Sequence, residues 1–172
     1  MKEIPLTQGK VALVDDVDYE ALAAFKWYAY RQDCTFYAKR MVVLPDGRRS
    51  AERLHRVVLS RKLGRPLARN EMPDHEHGDG LDNRREELRL ATKAQNGRNC
   101  NRHSSSPSSR FLGVCRHSDL GGWRVRIQIN GKMLHLGGYA TELEAALARE
   151  YYVVAHPELM ARSNFTQSEL AI

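Results

Sequence analysis

The sequence has no apolar run approaching the roughly 18 residues that crossing a bilayer requires. Its start, Met1-Lys2-Glu3-Ile4-Pro5, also lacks the apolar segment of a secretory leader, so the expected location is the cytoplasm, with no membrane partner. Cysteine is sparse: Cys34, Cys100 and Cys115 form an odd set without a CxxC spacing. That argues against a disulfide framework and against a Cys-rich zinc site, and leaves three reduced thiols. Acidic residues are scarce in one long stretch. Between Gly97 and Ala140 a single acid, Asp119, stands against Arg98, Arg102, Arg110, Arg116, Arg124, Arg126 and Lys132. The net charge of +6 fits a polyanionic partner, and this stripe is the footprint expected for phosphate contacts, although an ordinary solvated face has the same composition.

What is present suits a soluble protein of one ordinary domain or two small ones: 172 residues, 42% hydrophobic and 28% charged. The clearest boundary is Asn101-Arg102-His103-Ser104-Ser105-Ser106-Pro107-Ser108-Ser109, too polar to bury apolar surface and therefore read as a flexible basic linker. The expected organisation is an N-terminal part over 1–98, a linker over 99–109 and a C-terminal domain over 110–166.

The fold class read from the pattern is α+β. Short strand-like runs open the chain at Val11–Val14, Trp27–Tyr30 and Phe36–Ala38, and Met41–Leu44 leads into the turn Pro45-Asp46-Gly47. Asp18–Phe25 suits a short capped helix, and Leu54–Leu63 mixes apolar and basic residues at helical spacing. Further on, Trp123–Ile129 alternates strictly, with Trp123, Val125, Ile127 and Ile129 on one side and Arg124, Arg126 and Gln128 on the other. Asn130-Gly131 is the preferred pair for a tight hairpin, and Lys132–Gly137 is the return strand. Thr141 and Glu144 have capping-box spacing, and Leu143, Leu147, Tyr151 and Val154 share one helical face. These features predict a three-stranded antiparallel sheet packed on one helix, with its arginine face left open.

The stretch richest in chemistry is Asp74-His75-Glu76-His77-Gly78-Asp79-Gly80-Leu81-Asp82-Asn83, continuing through Leu88-Arg89-Leu90-Ala91-Thr92 to Gln95-Asn96. Two glycines permit a sharp excursion, Leu88–Leu90 gives a return strand, and Thr92 can cap a helix carrying Asn96. Strand, loop, strand and helix can then bring Asp74, His75 and Asn96 around one point. A carboxylate and an amide oxygen are hard donors suited to Mg²⁺ or Mn²⁺, and an imidazole beside them can deprotonate water. Asp79, Asp82 and Asn83 are read as turn-shaping residues. His77 is read as a loop histidine, with contact to metal or phosphate the minor reading, and His55 as a packing or phosphate-contacting residue.

This segment resembles the ββα-metal motif of HNH endonucleases, especially the homing type encoded by phages and introns. The resemblance implies that His75 is the general base, that Asp74 and Asn96 hold one divalent ion per active site, and that the substrate is double-stranded DNA. No protein partner is implied. The asparagine that orients the histidine in that family falls on Glu87 here. A glutamate there can accept a hydrogen bond from the imidazole, and should raise the pKa of His75 by favouring imidazolium.

The C-terminal part resembles the AP2 DNA-binding domain, through Ser109-Arg110-Phe111-Leu112-Gly113-Val114, Gly122-Trp123, Leu136-Gly137-Gly138-Tyr139, Thr141–Ala146 and Ala161–Phe165. The resemblance implies a sheet in the major groove, with Arg116, Arg124, Arg126, Gln128, Lys132 and His135 as readers. Trp123 shares a face with Val125 and Ile127 and is therefore assigned to the core. The expected function is a metal-dependent DNA endonuclease targeted by an AP2-like module. The alternative is a DNA-binding protein whose HNH core is degenerate.

Overall fold

The computed structural model describes residues 1–32, 35–99, 108–117 and 121–170, with Gln167 by its backbone alone. Cys34, Cys100, Asp119 and the linker segment 100–107 lie outside the described residues. The chain is of mixed α and β structure and divides into two compact units, Met1–Lys93 and Ala94–Ile172. Among the described residues no helix is long and apolar enough to cross a membrane.

The first unit opens with an antiparallel ribbon, β1 (Lys2–Pro5) and β2 (Val11–Val14), in which Ile4 pairs with Ala12. Helix α1 (Asp16–Ala23) starts two residues earlier than the sequence suggests, with Asp16 and Asp18 in the first turn where the helix dipole favours acids. A meander follows: β3 (Tyr28–Gln32), β4 (Thr35–Val43) and β5 (Arg49–Arg53), with β4 in the middle. The two runs read separately at Phe36–Ala38 and Met41–Leu44 belong to one strand as far as Val43, because β5 pairs with β4 from Lys39 to Val43 and carries the ladder past the polar pair Lys39-Arg40.

Helix α2 (Leu54–Leu63) buries Leu54, His55, Val58 and Leu59. Gly64 closes it in the left-handed conformation, φ 68°, which a residue without Cβ adopts freely. The last element pair of this unit is the hairpin β6 (Met72–His75) and β7 (Leu88–Ala91), in which His75 faces Leu88. One core gathers Ile4, Ala12 and Val14 from the ribbon, Leu22, Trp27 and Ala38, the apolar side of α2, and Leu88. Burying such side chains contributes about 1.5–3 kcal/mol each.

The second unit contains α3 (Lys93–Asn99), less its first residue, then β8 (Val114–Arg116), β9 (Trp123–Ile129), β10 (Lys132–Tyr139), α4 (Glu142–Ala155) and a final turn of helix, α5 (Gln167–Leu170). The strands form an antiparallel sheet in the order β10-β9-β8. Both turn residues between β9 and β10 have positive φ, Asn130 at 50° and Gly131 at 79°, which the Asn-Gly pair adopts at little cost. Thr141 and Glu144 form a reciprocal capping box at the start of α4.

One expectation about α4 fails. Its buried residues are Ala145, Ala146, Arg149, Glu150 and Val153, while Leu143, Tyr151 and Val154 of the expected row are exposed. Ala145 and Ala146 lie in one cluster with Val114 and Val125 of the sheet, with Phe111, Trp123, Leu136, Tyr139 and Phe165 around it. Two adjacent alanines let the helix backbone approach the sheet closely, and that steric match outweighs the greater apolarity of the other row. The buried ions find local partners: Glu150 accepts from Ser163 Oγ and from the Asn164 backbone, and Arg149 Nη1 donates to the Arg162 carbonyl, while Arg149 Nε is buried without a hydrogen bond. Asn164 in turn exchanges two hydrogen bonds with the backbone of Leu112.

Candidate active site

Everything at this site hangs on the long loop between β6 and β7, which the rest of the first unit ties down. Leu13 of β2 donates to the Leu81 carbonyl at 2.9 Å and accepts from the Asn83 amide at 2.8 Å. Asp15 accepts from the Arg85 amide at 2.7 Å, and Lys62 of α2 donates to the carbonyls of Arg85 and Leu88. Asp18, fully buried, pairs with Arg85 at 2.7 Å and with Arg61 at 2.6 Å. Burial pushes the Asp18 carboxyl up, but hydrogen bonds from Arg85 and Arg61 outweigh it, so its pKa falls below the ordinary 3.8. Gly80 is seated so closely on β4 that a Cβ would stand 2.4 Å from the Phe36 carbonyl oxygen and 2.7 Å from the Tyr37 ring. The turn-shaping roles of the polar residues are present: Asp79 accepts from the Leu81 amide, Asp82 from the Arg84 amide, and Asn83 Nδ2 donates to the Leu81 carbonyl.

Asp74 and His75 end β6 side by side, and both are buried. Asp74 Oδ2 accepts from Arg89 Nε of β7 at 2.9 Å, and Arg89 also lies 3.3 Å from the Glu76 carboxylate. The His75 ring sits in an aromatic corner, its centroid 5.7 Å from Tyr37 and 5.4 Å edge-on from His55. Burial lowers the His75 pKa from the ordinary 6.5, against the opposing pull of the Asn83 side chain and the carboxylates of Asp74, Asp79 and Asp82. Asn83 favours the protonated ring, and its own Oδ1 is buried without a hydrogen bond.

The sequence expectation for Glu87 therefore needs two corrections. Both Glu87 carboxylate oxygens lie 2.9 Å from Nδ1 of His77, so the contact Glu87 makes is with the loop histidine. The register explains it: His75 stands opposite Leu88, and Glu87, one residue earlier, is carried beyond the paired strands to the turn where His77 lies. Nor is His75 raised in pKa. Its enclosure disfavours the charged ring more strongly than the nearby carboxylates favour it.

Three side chains at the site carried no clear signal in the sequence. Asn83 was legible as a turn residue, and only the tertiary fold sets it against His75. Tyr37 is one of several aromatics in a strand. His55 is enclosed on α2, 5.5 Å from the Tyr37 ring, with Nδ1 buried and without a hydrogen bond, and burial followed by repulsion from His75 lowers its pKa well below 6.5.

Asn96 lies on α3, half-buried, in the portion that belongs to the second unit, where Gln95 and Arg98 donate to the carbonyls of Glu158 and Leu159. Among the described residues no three His, Cys, Asp or Glu side chains gather to hold an ion. A pair made of one carboxylate and one amide is a different donor set, of hard oxygens suited to Mg²⁺ or Mn²⁺ with water completing the shell.

In the C-terminal sheet, Arg126 faces His135 and Gln128 faces Met133 across the β9–β10 ladder, and Arg124 faces Cys115 across β8–β9. Arg124, Arg126, Gln128 and His135 thus share the face opposite Val125 and Ile127, and all but the half-buried Arg124 are exposed. Arg116 and Lys132 stand elsewhere. Arg116 pairs with Trp123 and lies 5.7 Å from its ring, and Lys132 pairs with Ile129 beside the turn, which puts both in the rows of the apolar face.

Residues 52–98 match the family model described as HNH endonuclease. The matched span runs from the end of β5 through α2, β6 and β7 into α3, and so contains His55, Asp74, His75, Asn83, Glu87 and Asn96. The match covers 47 of the 172 residues and makes this segment similar to HNH endonucleases. No curated protein and no solved structure matches the chain.

Proposed function

We propose that the chain is a homing-type DNA endonuclease dependent on a divalent metal and directed to its target by an AP2-like C-terminal sheet. The observation that carries this reading is the pairing of adjacent Asp74 and His75, both buried, within the hairpin of the HNH-matched segment. A histidine whose enclosure disfavours imidazolium is neutral at pH 7, the state in which it can accept a proton from water. Tyr37 and His55 flank its ring, His55 edge-on. Asp74 and Asn96 would hold Mg²⁺ or Mn²⁺, with Arg89 keeping the Asp74 carboxylate in orientation. Such an ion, when bound, supplies positive charge to the phosphorane and the departing 3′ oxygen.

The C-terminal sheet supplies register and affinity in this reading. Arg124, Arg126, Gln128 and His135 meet base edges or phosphates in the major groove, and Arg116 and Lys132 reach phosphates from its two ends. The test is cleavage of supercoiled plasmid with Mg²⁺ or Mn²⁺, with an EDTA control. Relaxed or linear product is expected with metal and none after chelation; cleavage that survives EDTA contradicts the proposal.

Glu87 favours a second reading, since the resemblance puts the histidine-orienting asparagine at that position. A DNA-binding protein with an inactive core would bind DNA in a salt-sensitive way and leave plasmid intact with either metal.

A further inference from the structure

We propose that His77, its ring fixed by Glu87, is the general acid of the cleavage, passing its Nε2 proton to the 3′ oxygen as the phosphorus–oxygen bond breaks. The inference rests on the nuclease reading above and adds a group that this reading leaves out. In-line displacement puts the attacking water and the leaving oxygen on opposite sides of the phosphorus. A base that contacts the water therefore cannot also protonate the leaving alkoxide, whose charge must be met by an ion, by a second proton carrier, or by both.

Of the three histidines in the first unit, His55 and His75 are buried, whereas the His77 side chain is 77% exposed. Its position is nevertheless fixed. The Glu76 amide donates to the Glu87 carbonyl, the Gly78 amide donates to the His75 carbonyl, and Gly78 turns the chain at φ 78°. Glu87 is largely enclosed, its side chain 12% exposed, with Arg84 at 3.8 Å on its other flank. Its two oxygens engage His77 Nδ1. A carboxylate on Nδ1 fixes that nitrogen as the donor and directs Nε2 away from the protein, an arrangement found where an imidazole must present one nitrogen for proton transfer.

The chemistry balances. The water oxygen bonds to phosphorus while its proton passes to His75. The phosphorus–O3′ bond breaks, and the electron pair left on O3′ takes the Nε2 proton of His77. Solvent then returns a proton to His77 and removes one from His75, and the net reaction is hydrolysis.

The test compares two substrates with the full-length protein: supercoiled plasmid, whose leaving alkoxide requires a proton, and bis(p-nitrophenyl) phosphate, whose nitrophenolate does not. His77→Ala should lower kcat on DNA by about 10²-fold. Its loss on the nitrophenyl ester should be at least about tenfold smaller, with DNA affinity unchanged. His77→Asn keeps an amide donor where Nδ1 meets Glu87 but has no proton to transfer, and should lose as much as His77→Ala. Glu87→Gln should show the same selectivity with a smaller loss, and His75→Ala should lose both activities. Equal losses on the two substrates, a loss confined to DNA affinity, or no loss at all overturns the assignment of His77. A wild-type protein that binds DNA but hydrolyses neither substrate overturns the nuclease reading and this one with it.

Discussion

Two buried histidines, His55 and His75, face each other edge-on in the first unit, and each is easier to hold neutral than charged. In the unfolded chain a histidine titrates near 6.5, and in the fold both bind their protons only at lower pH, His55 much lower. Below pH 6.5 the unfolded state therefore takes up more protons than the native one. The stability these rings contribute is complete above that pH and drains as pH falls toward their folded values. His55→Phe keeps a ring in the corner and removes one of the two groups. Urea unfolding midpoints of this variant should fall less steeply below pH 6.5 than those of the wild type. An unchanged slope would mean that His55 is hydrated and free to charge. The same enclosure disfavours the charged form of His75, so one physical cause links acid stability to the proton acceptance proposed for this ring.

At the scale of elements, the loop between β6 and β7 owes its shape to contacts with β2, α1, α2 and β4. Gly80→Ala would drive a methyl group into the Phe36 carbonyl and the Tyr37 ring, displacing either the loop or the wall of the His75 corner. Overpacking of this kind costs about 1–3 kcal/mol. Calorimetry should show that loss of stability, together with reduced cleavage; full stability and activity would mean that the loop tip is looser than its packing implies. What the sequence disclosed followed the same division of scale. Strand β2, the limits of α2, the Asn130-Gly131 turn and the Thr141–Glu144 box are set by neighbours within a few residues, and all were legible. The alanine face of α4, the Asn83–His75 contact and the turn of Glu87 toward His77 depend on which surfaces meet in three dimensions. Periodicity alone favoured the larger apolar row of α4, and motif alignment alone favoured a Glu87–His75 pair. Tyr37 gave no pattern at all and Arg89 was legible only as part of the motif stretch, because a strand aromatic and a strand arginine have no assigned contact until packing sets them beside His75 and Asp74.

For the whole molecule, the proposed DNA binding through a sheet face bearing Arg124 and Arg126, on a chain of net charge +6, should weaken steeply with salt. Arg126→Ala, at an exposed site without structural duty for its side chain, should leave stability unchanged. It should lower DNA affinity by about 1–3 kcal/mol if it reads a base, or reduce the log–log salt slope by about 1 if it meets a phosphate. Unaltered affinity and slope would remove this face from the proposed interface. The account as a whole turns on a single imidazole, and the most direct test is plasmid cleavage in Mg²⁺ by the wild type and by His75→Ala side by side. The account predicts relaxed or linear product from the wild type and a loss of at least about 10²-fold in the variant, with DNA binding retained. Equal cleavage by the two proteins would contradict it.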